Sequence, residues 1–213
     1  MVWPAAAAAV SEGLLPAARS DLIKMGRLVA DQLERSLRCF HDLDPAMADE
    51  VIERDDVIDN LNLSLEERCF DIATSGGLGP EDRRMARAAV KISLNLERIG
   101  DTGTHIAKRV RLVLRDQARP VEFAFPELEA AALRAVREVM DALAEQDLER
   151  ARQACLRESE FDARYVAYLG EARRRMQAYP SEVPYLLHCL AVMKYLEKVA
   201  DYVLNIGEQT IFM

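Results

Sequence analysis

Leu96-Glu97-Arg98-Ile99-Gly100-Asp101 is answered 100 positions later by Leu196-Glu197-Lys198-Val199-Ala200-Asp201. Each hexapeptide runs leucine, acid, cation, branched aliphatic, small residue, acid. The two acids stand four apart, which places both on one face of a helix with Cβ atoms roughly 6 Å apart. The likeness extends another turn, with His105 and Asn205 four residues beyond the aspartates and Ile106 and Ile206 next. Upstream lies a second acidic step, Asp55 with Asp59 in one half and Glu158 with Asp162 in the other, offset by 103. The three-residue difference between the offsets fits a loop of variable length. The chain is a duplicated helical unit.

Prolines, glycines and capping residues then divide each copy into three helices. The first spans about 17–41, with Leu22, Met25, Val29, Leu33 and Leu37 on one face. Asp44-Pro45 reads as an N-cap with proline at the first helical position. It opens a second helix, predicted to reach Thr74 and stop at Ser75-Gly76-Gly77. A third runs from Pro80 to just before Pro120, a fourth starts at Pro126, a fifth is capped by Asp147 and ends at Tyr179-Pro180-Ser181, and the sixth runs from Val183 onward. No segment alternates with the period of a strand. The expected class is all-α: two tandem three-helix bundles over residues 17–119 and 126–213, with neighbouring helices antiparallel across short loops. Residues 1–16 read as a frayed tail. The break between the halves carries Val121, Phe123 and Phe125 in alternation.

Composition excludes several functions. Half of the 213 residues are hydrophobic, enough to bury a core and rule out global disorder. With 28 basic against 36 acidic residues the net charge is −8, the wrong sign for a protein that grips nucleic-acid phosphates. Cys39, Cys69, Cys155 and Cys189 form no C-x-x-C pair, so neither a zinc ribbon nor a thioredoxin motif is present, and they read as reduced core thiols. No charge-free run approaches the ~20 residues of a membrane span. The chain is read as cytoplasmic, free to associate with a membrane peripherally. Arg83, Arg84 and Arg87, and Arg173, Arg174 and Arg175, read as solvated helix faces.

A single acidic step at four-residue spacing is ordinarily a solvated face. Four of them at equivalent places in a duplicated unit argue for more. Two such helices side by side would gather four carboxylates, repelling one another and raising their pKa values unless a cation is present. Oxygen-rich clusters of this kind suit magnesium, calcium, manganese or iron. Gly100 and Gly103 cost ~1 kcal/mol each relative to alanine inside a helix, which calls for close packing or ligand access. A ferritin-like di-iron enzyme needs Glu-x-x-His pairs, but Arg38, Thr102 and Tyr185 precede His41, His105 and His188. Neither G-x-S-x-G nor a P-loop occurs, so the chain is not read as an enzyme. The other reading is a metal-free helical adaptor whose acidic face binds a basic partner surface.

At these residues the chain resembles the PhoU family of phosphate-signalling proteins. Lys91-Ile92 with the run from Leu96 to Asp101 and Ile106-Ala107-Lys108-Arg109 carry the likeness, joined by Met25-Gly26 with Val29 and by Tyr195-Leu196-Glu197 through Asn205-Ile206. The resemblance implies PhoU- and spectrin-like tandem bundles with acidic metal sites. One site would use Asp55, Asp59, Glu97 and Asp101, the other Glu158, Asp162, Glu197 and Asp201, with His105 and Asn205 as secondary ligands. The implied cofactors are metal ions: multinuclear iron, otherwise zinc, manganese or magnesium. The implied role is negative regulation of phosphate uptake and phosphate-starvation signalling. A homodimer would link the ATPase subunit of a phosphate ABC transporter to a sensor histidine kinase.

Overall fold

The computed structural model describes residues 4–74 and 79–213, apart from the side chains of 4–15 and of Glu158. Among the described residues every regular element is helical. In chain order these are α1 (Pro4–Asp42), α2 (Pro45–Glu53), α3 (Asp55–Thr74), α4 (Pro80–Arg115), α5 (Pro126–Glu145), α6 (Leu148–Leu156), α7 (Glu158–Ala178), a 3₁₀ turn (Pro180–Glu182) and α8 (Val183–Phe212). They form the six expected helices in two bundles, the second and fifth each broken once, at Arg54 and at Arg157. The predicted stop at Ser75-Gly76-Gly77 lies outside the described residues.

Local chemistry sets the boundaries. Asp44 accepts hydrogen bonds from the backbone N–H groups of Ala46 and Met47 at 2.9 and 3.1 Å. Asp147 accepts from Glu149 and Arg150, both at 3.0 Å. Just before each cap the chain turns through the left-handed region, at Leu43 (φ 49°) and Gln146 (φ 57°). Leu43, Asp44 and Arg54 recur as Gln146, Asp147 and Arg157, each 103 positions on, so the repeat extends to backbone geometry. One boundary differs from expectation: α1 begins at Pro4, upstream of residue 17. Five successive alanines carry the highest helix propensity, and Pro16 keeps a helical φ while giving up one hydrogen bond.

The halves meet through α1 against α5 and α4 against α8. A pseudo-two-fold axis relates them. Asn205 donates to Asn95 at 3.4 Å, and 100 residues away in each chain direction the His105 ring stacks on Tyr195 with centroids 5.5 Å apart. Glu34 pairs with Arg137 at 2.6 Å, two residues that are themselves repeat equivalents. One continuous core of fully buried Leu22, Met25, Ile92, Leu96, Val192 and Leu196 runs through both halves. The connecting segment joins it, with Phe123 and Phe125 buried and Phe125 packed edge-on to Tyr168 at 6.5 Å. Arg175 is not the solvated residue expected, since it covers the Phe123 ring and binds Glu182 at 2.8 Å. Cys39, Cys69 and Cys189 are buried and Cys155 half-buried, and no disulfide joins these described cysteines. No described helix is long and apolar enough to cross a membrane.

Candidate functional site

The acidic steps lie where α3 meets α4 and where α7 meets α8. In the first half the contact is close: a Cβ on Gly100 would lie 3.1 Å from Ile58 Cδ1, so any larger residue would require the Ile58 side chain to give way. Behind that contact sits a polar node. Gln32, fully buried on α1, donates from Nε2 to Asp55 Oδ1 at 2.9 Å and lies 3.3 Å from both Gly100 O and Thr104 Oγ1. The sequence reading did not single out Gln32 or Thr104. The available signal was an amide amid the apolar stripe of α1, where a buried polar group must find partners.

Outside this node the first-half carboxylates face one another. Burial raises the pKa of Asp55, opposed by hydrogen bonds from Thr104 and Gln32 and aided by the charge of Asp101. Asp59 is raised by partial desolvation and then by Asp55, Asp101 and Asp56. Glu97 is raised by burial and then by Asp101 and Asp59, with Arg98 pulling the other way. Arg98 does not close an ion pair with them; it lies over the Tyr202 ring at 5.9 Å from its centroid. The four residues predicted for this site are thus brought to one face, and each of these three holds its negative charge against a cost.

The second half is built differently. Lys194 Nζ lies 2.7 Å from Glu197 Oε2, and Lys198 Nζ lies 2.6 Å from Asp201 Oδ2 and 3.5 Å from Glu197 Oε2. Two lysines on α8 therefore neutralise the acids on the same helix. Asp162 is exposed on α7, and the side chain of Glu158 is outside the described residues.

This geometry corrects the metal expectation. Among the described residues, no group of three or more His, Cys, Asp or Glu side chains is placed to hold a metal ion. Asp55 is engaged by amide and hydroxyl donors, while Asp59 points to solvent. Glu197 and Asp201 are taken by lysines. His105 and Asn205, the secondary ligand candidates, turn instead to the α4–α8 seam, against Tyr195 and Asn95. The expectation of iron, zinc, manganese or magnesium as cofactor, and with it a metal-binding function, is overturned on these grounds.

The fold is a duplicated all-helical bundle with an acidic face where α3 meets α4 and a buried polar node behind it. The profile described as PhoU domain matches residues 22–110 and 125–210, and the chain belongs to the PhoU family, non-catalytic accessory proteins and regulators of phosphate transport. It is 28% identical over 205 residues to the phosphate-specific transport system accessory protein PhoU homolog of Clostridium acetobutylicum, covering 96% of this chain and 94% of that protein. The homolog of the same name from Rhizobium meliloti is 29% identical, with 89% and 81% covered. The crystal structure of PhoU from Pseudomonas aeruginosa superposes with a TM-score of 0.89 at 26% identity, over 94% of this chain and 97% of that one.

Proposed function

We propose that this chain is an adaptor that restrains phosphate uptake and phosphate-starvation signalling by docking basic partner surfaces on its acidic α3–α4 face. The partners in this reading are the ATPase subunit of a phosphate ABC transporter and a sensor histidine kinase. The chain would work from the cytoplasm, held peripherally at the membrane by those contacts. Self-association as a homodimer belongs to the same proposal and is measured by light scattering.

The observation that carries the reading is the gathering of Asp55, Asp59, Glu97 and Asp101 where α3 meets α4, three of them with raised pKa, while on α8 the counterparts of Glu97 and Asp101, Glu197 and Asp201, already have lysine partners. Carboxylates that repel one another in the free protein are relieved when a partner supplies cations, so binding energy is concentrated on the first half. Family membership and the names of the relatives support the phosphate context.

The test is binding of the purified chain to the transporter ATPase and to the cytoplasmic part of the kinase, measured at several salt concentrations. A paired reversal, Asp59→Lys with Glu97→Lys, is expected to weaken binding by about tenfold or more and flatten its salt dependence. Reversing Glu197 and Asp201 should change it much less. Equal effects from both pairs, or none from either, would remove the acidic face from the proposal.

A further inference from the structure

Beyond the α3–α4 junction, the outer side of α3 (Asp55–Thr74) has its own pattern. Asp56, Leu63 and Phe70 stand seven apart and form one row along the helix. Leu63 is 56% exposed and Phe70 68%, both far from the usual place of such side chains. Flanking rows carry Asp59 and Glu66 on one side and Asn60 and Glu67 on the other. Across α3 there are six carboxylates against one arginine, and that arginine, Arg68, is engaged by Asp21 at 2.7 Å. Beside Phe70 an open groove of about 840 Å³ runs between α3 and α4, floored by Ala73, Ala86 and Val90.

The repeat supplies an internal control. At the equivalent positions of α7, 103 residues on, the central row is Ser159, Val166 and Arg173, and the flanks are Asp162 with Leu169 and Ala163 with Gly170. α7 has four acids and four arginines, no net charge, where α3 has −5. α7 also exposes apolar side chains, Val166 and Leu169, but among the described residues only on α3 are they bounded by acids on both flanks.

We infer that the outer face of α3 is a docking surface for a basic amphipathic helix of a partner protein. The occupant presents aliphatic residues at heptad spacing to Leu63 and Phe70, with one side chain entering the groove, and lysines or arginines to Asp59, Glu66 and Glu67. Charge complementarity selects this occupant: an acidic or neutral helix would bring like charges together or leave the flanks unpaired. The α4 rim of the groove carries three exposed cations, Arg83, Arg87 (which also lies over the Phe212 ring) and Lys91, so the occupant's basic flanks lie over α3 and its apolar side chain alone faces the groove. The inference rests on the adaptor reading and specifies the element that the partner offers.

The probe is a synthetic 18-residue peptide of leucine and lysine with the leucines on one helical face. Controls are a scrambled peptide of the same composition and a peptide with glutamate in place of lysine. Full-length protein is titrated against each by fluorescence anisotropy, with circular dichroism confirming that every variant is folded. The amphipathic basic peptide is expected to bind, and Phe70→Glu or Leu63→Ser to weaken it by about tenfold. Glu67→Lys should weaken it severalfold, while Val166→Ser on α7 leaves it unchanged. Equal binding of the scrambled peptide, or indifference to Leu63 and Phe70, overturns the inference. So does a dimer of the protein that Phe70→Glu converts to monomer, because the occupant is then a second copy. If transporter or kinase binding responds to Asp59 and Glu97 but not to Leu63 and Phe70, this inference falls while the adaptor reading stands. Loss of response to all four removes both.

Discussion

Gln32 joins three helices with one amide. It reaches Asp55 at the start of α3 and Gly100 in the middle of α4, all from α1. Gln32→Ala removes the donor and leaves a partly buried carboxylate with one partner fewer, a change that costs ~1–3 kcal/mol. Chemical denaturation should show that loss, with the larger part recovered in an Asp55→Ala background if the two residues act through each other. Asp59 has the opposite character. Its folded pKa is raised, so its ionisation opposes folding: the favourable contribution holds below the ordinary carboxylate pKa and is lost as pH rises through the raised value. Asp59→Asn is therefore expected to raise Tm at pH 7 by about a degree, a modest gain because the side chain is largely solvated. At pH 4 the gain should shrink toward zero. A loss of stability at pH 7 would mean that Asp59 has a favourable partner that this geometry lacks.

Helix boundaries are decided within a few residues, and those set by a capping side chain were legible in the sequence. Asp44 before Pro45 and Asp147 before a helical run both cap as expected, because an N-cap needs only a short polar side chain and free N–H groups nearby. Asp44→Ala should cost ~1 kcal/mol by the same measure. Gln146→Gly should gain up to about 1 kcal/mol, since glycine occupies the left-handed region without strain. Differential scanning calorimetry on the two variants checks both signs. The breaks at Arg54 and Arg157 were not legible, since neither proline nor glycine marks them and tertiary packing sets the bend. The acidic site was half legible. Spacing placed Asp55, Asp59, Glu97 and Asp101 on one face correctly. It treated Glu197 and Asp201 as their equals because the motif was compared by its acids, yet position 94 is leucine and position 194 is lysine. That cation three residues before Glu197 reverses the local electrostatics.

At the scale of the whole molecule, two histidines sit at the junction of the halves with their pKa values shifted in opposite directions. His41 on α1 binds Glu129 on α5 at 2.8 Å, and this hydrogen bond raises its pKa above the ordinary value. Its contribution to stability is full below about pH 6.5 and lost as pH rises through the raised value. His188 on α8 is buried, which with the nearby Arg109 lowers its pKa despite Asp116 at 3.6 Å. Its contribution is full above about pH 6.5 and lost as pH falls through the lowered value. The variant His41→Gln should consequently lose less stability than the parent between pH 6.5 and 8, which thermal melts across that range measure. The pairing of α1 with α5 and α4 with α8 also has an informational consequence. Two identical subunits about a true dyad must change together, because one codon specifies both copies of each side chain. Here a single polypeptide supplies both sides of the axis, so each position can be written twice. Asn95 with Asn205 and His105 with Tyr195 fill equivalent places with different letters, and α3 and α7 differ by five charges. Two symmetric subunits would offer two like faces, whereas one chain with unlike halves has a front and a back.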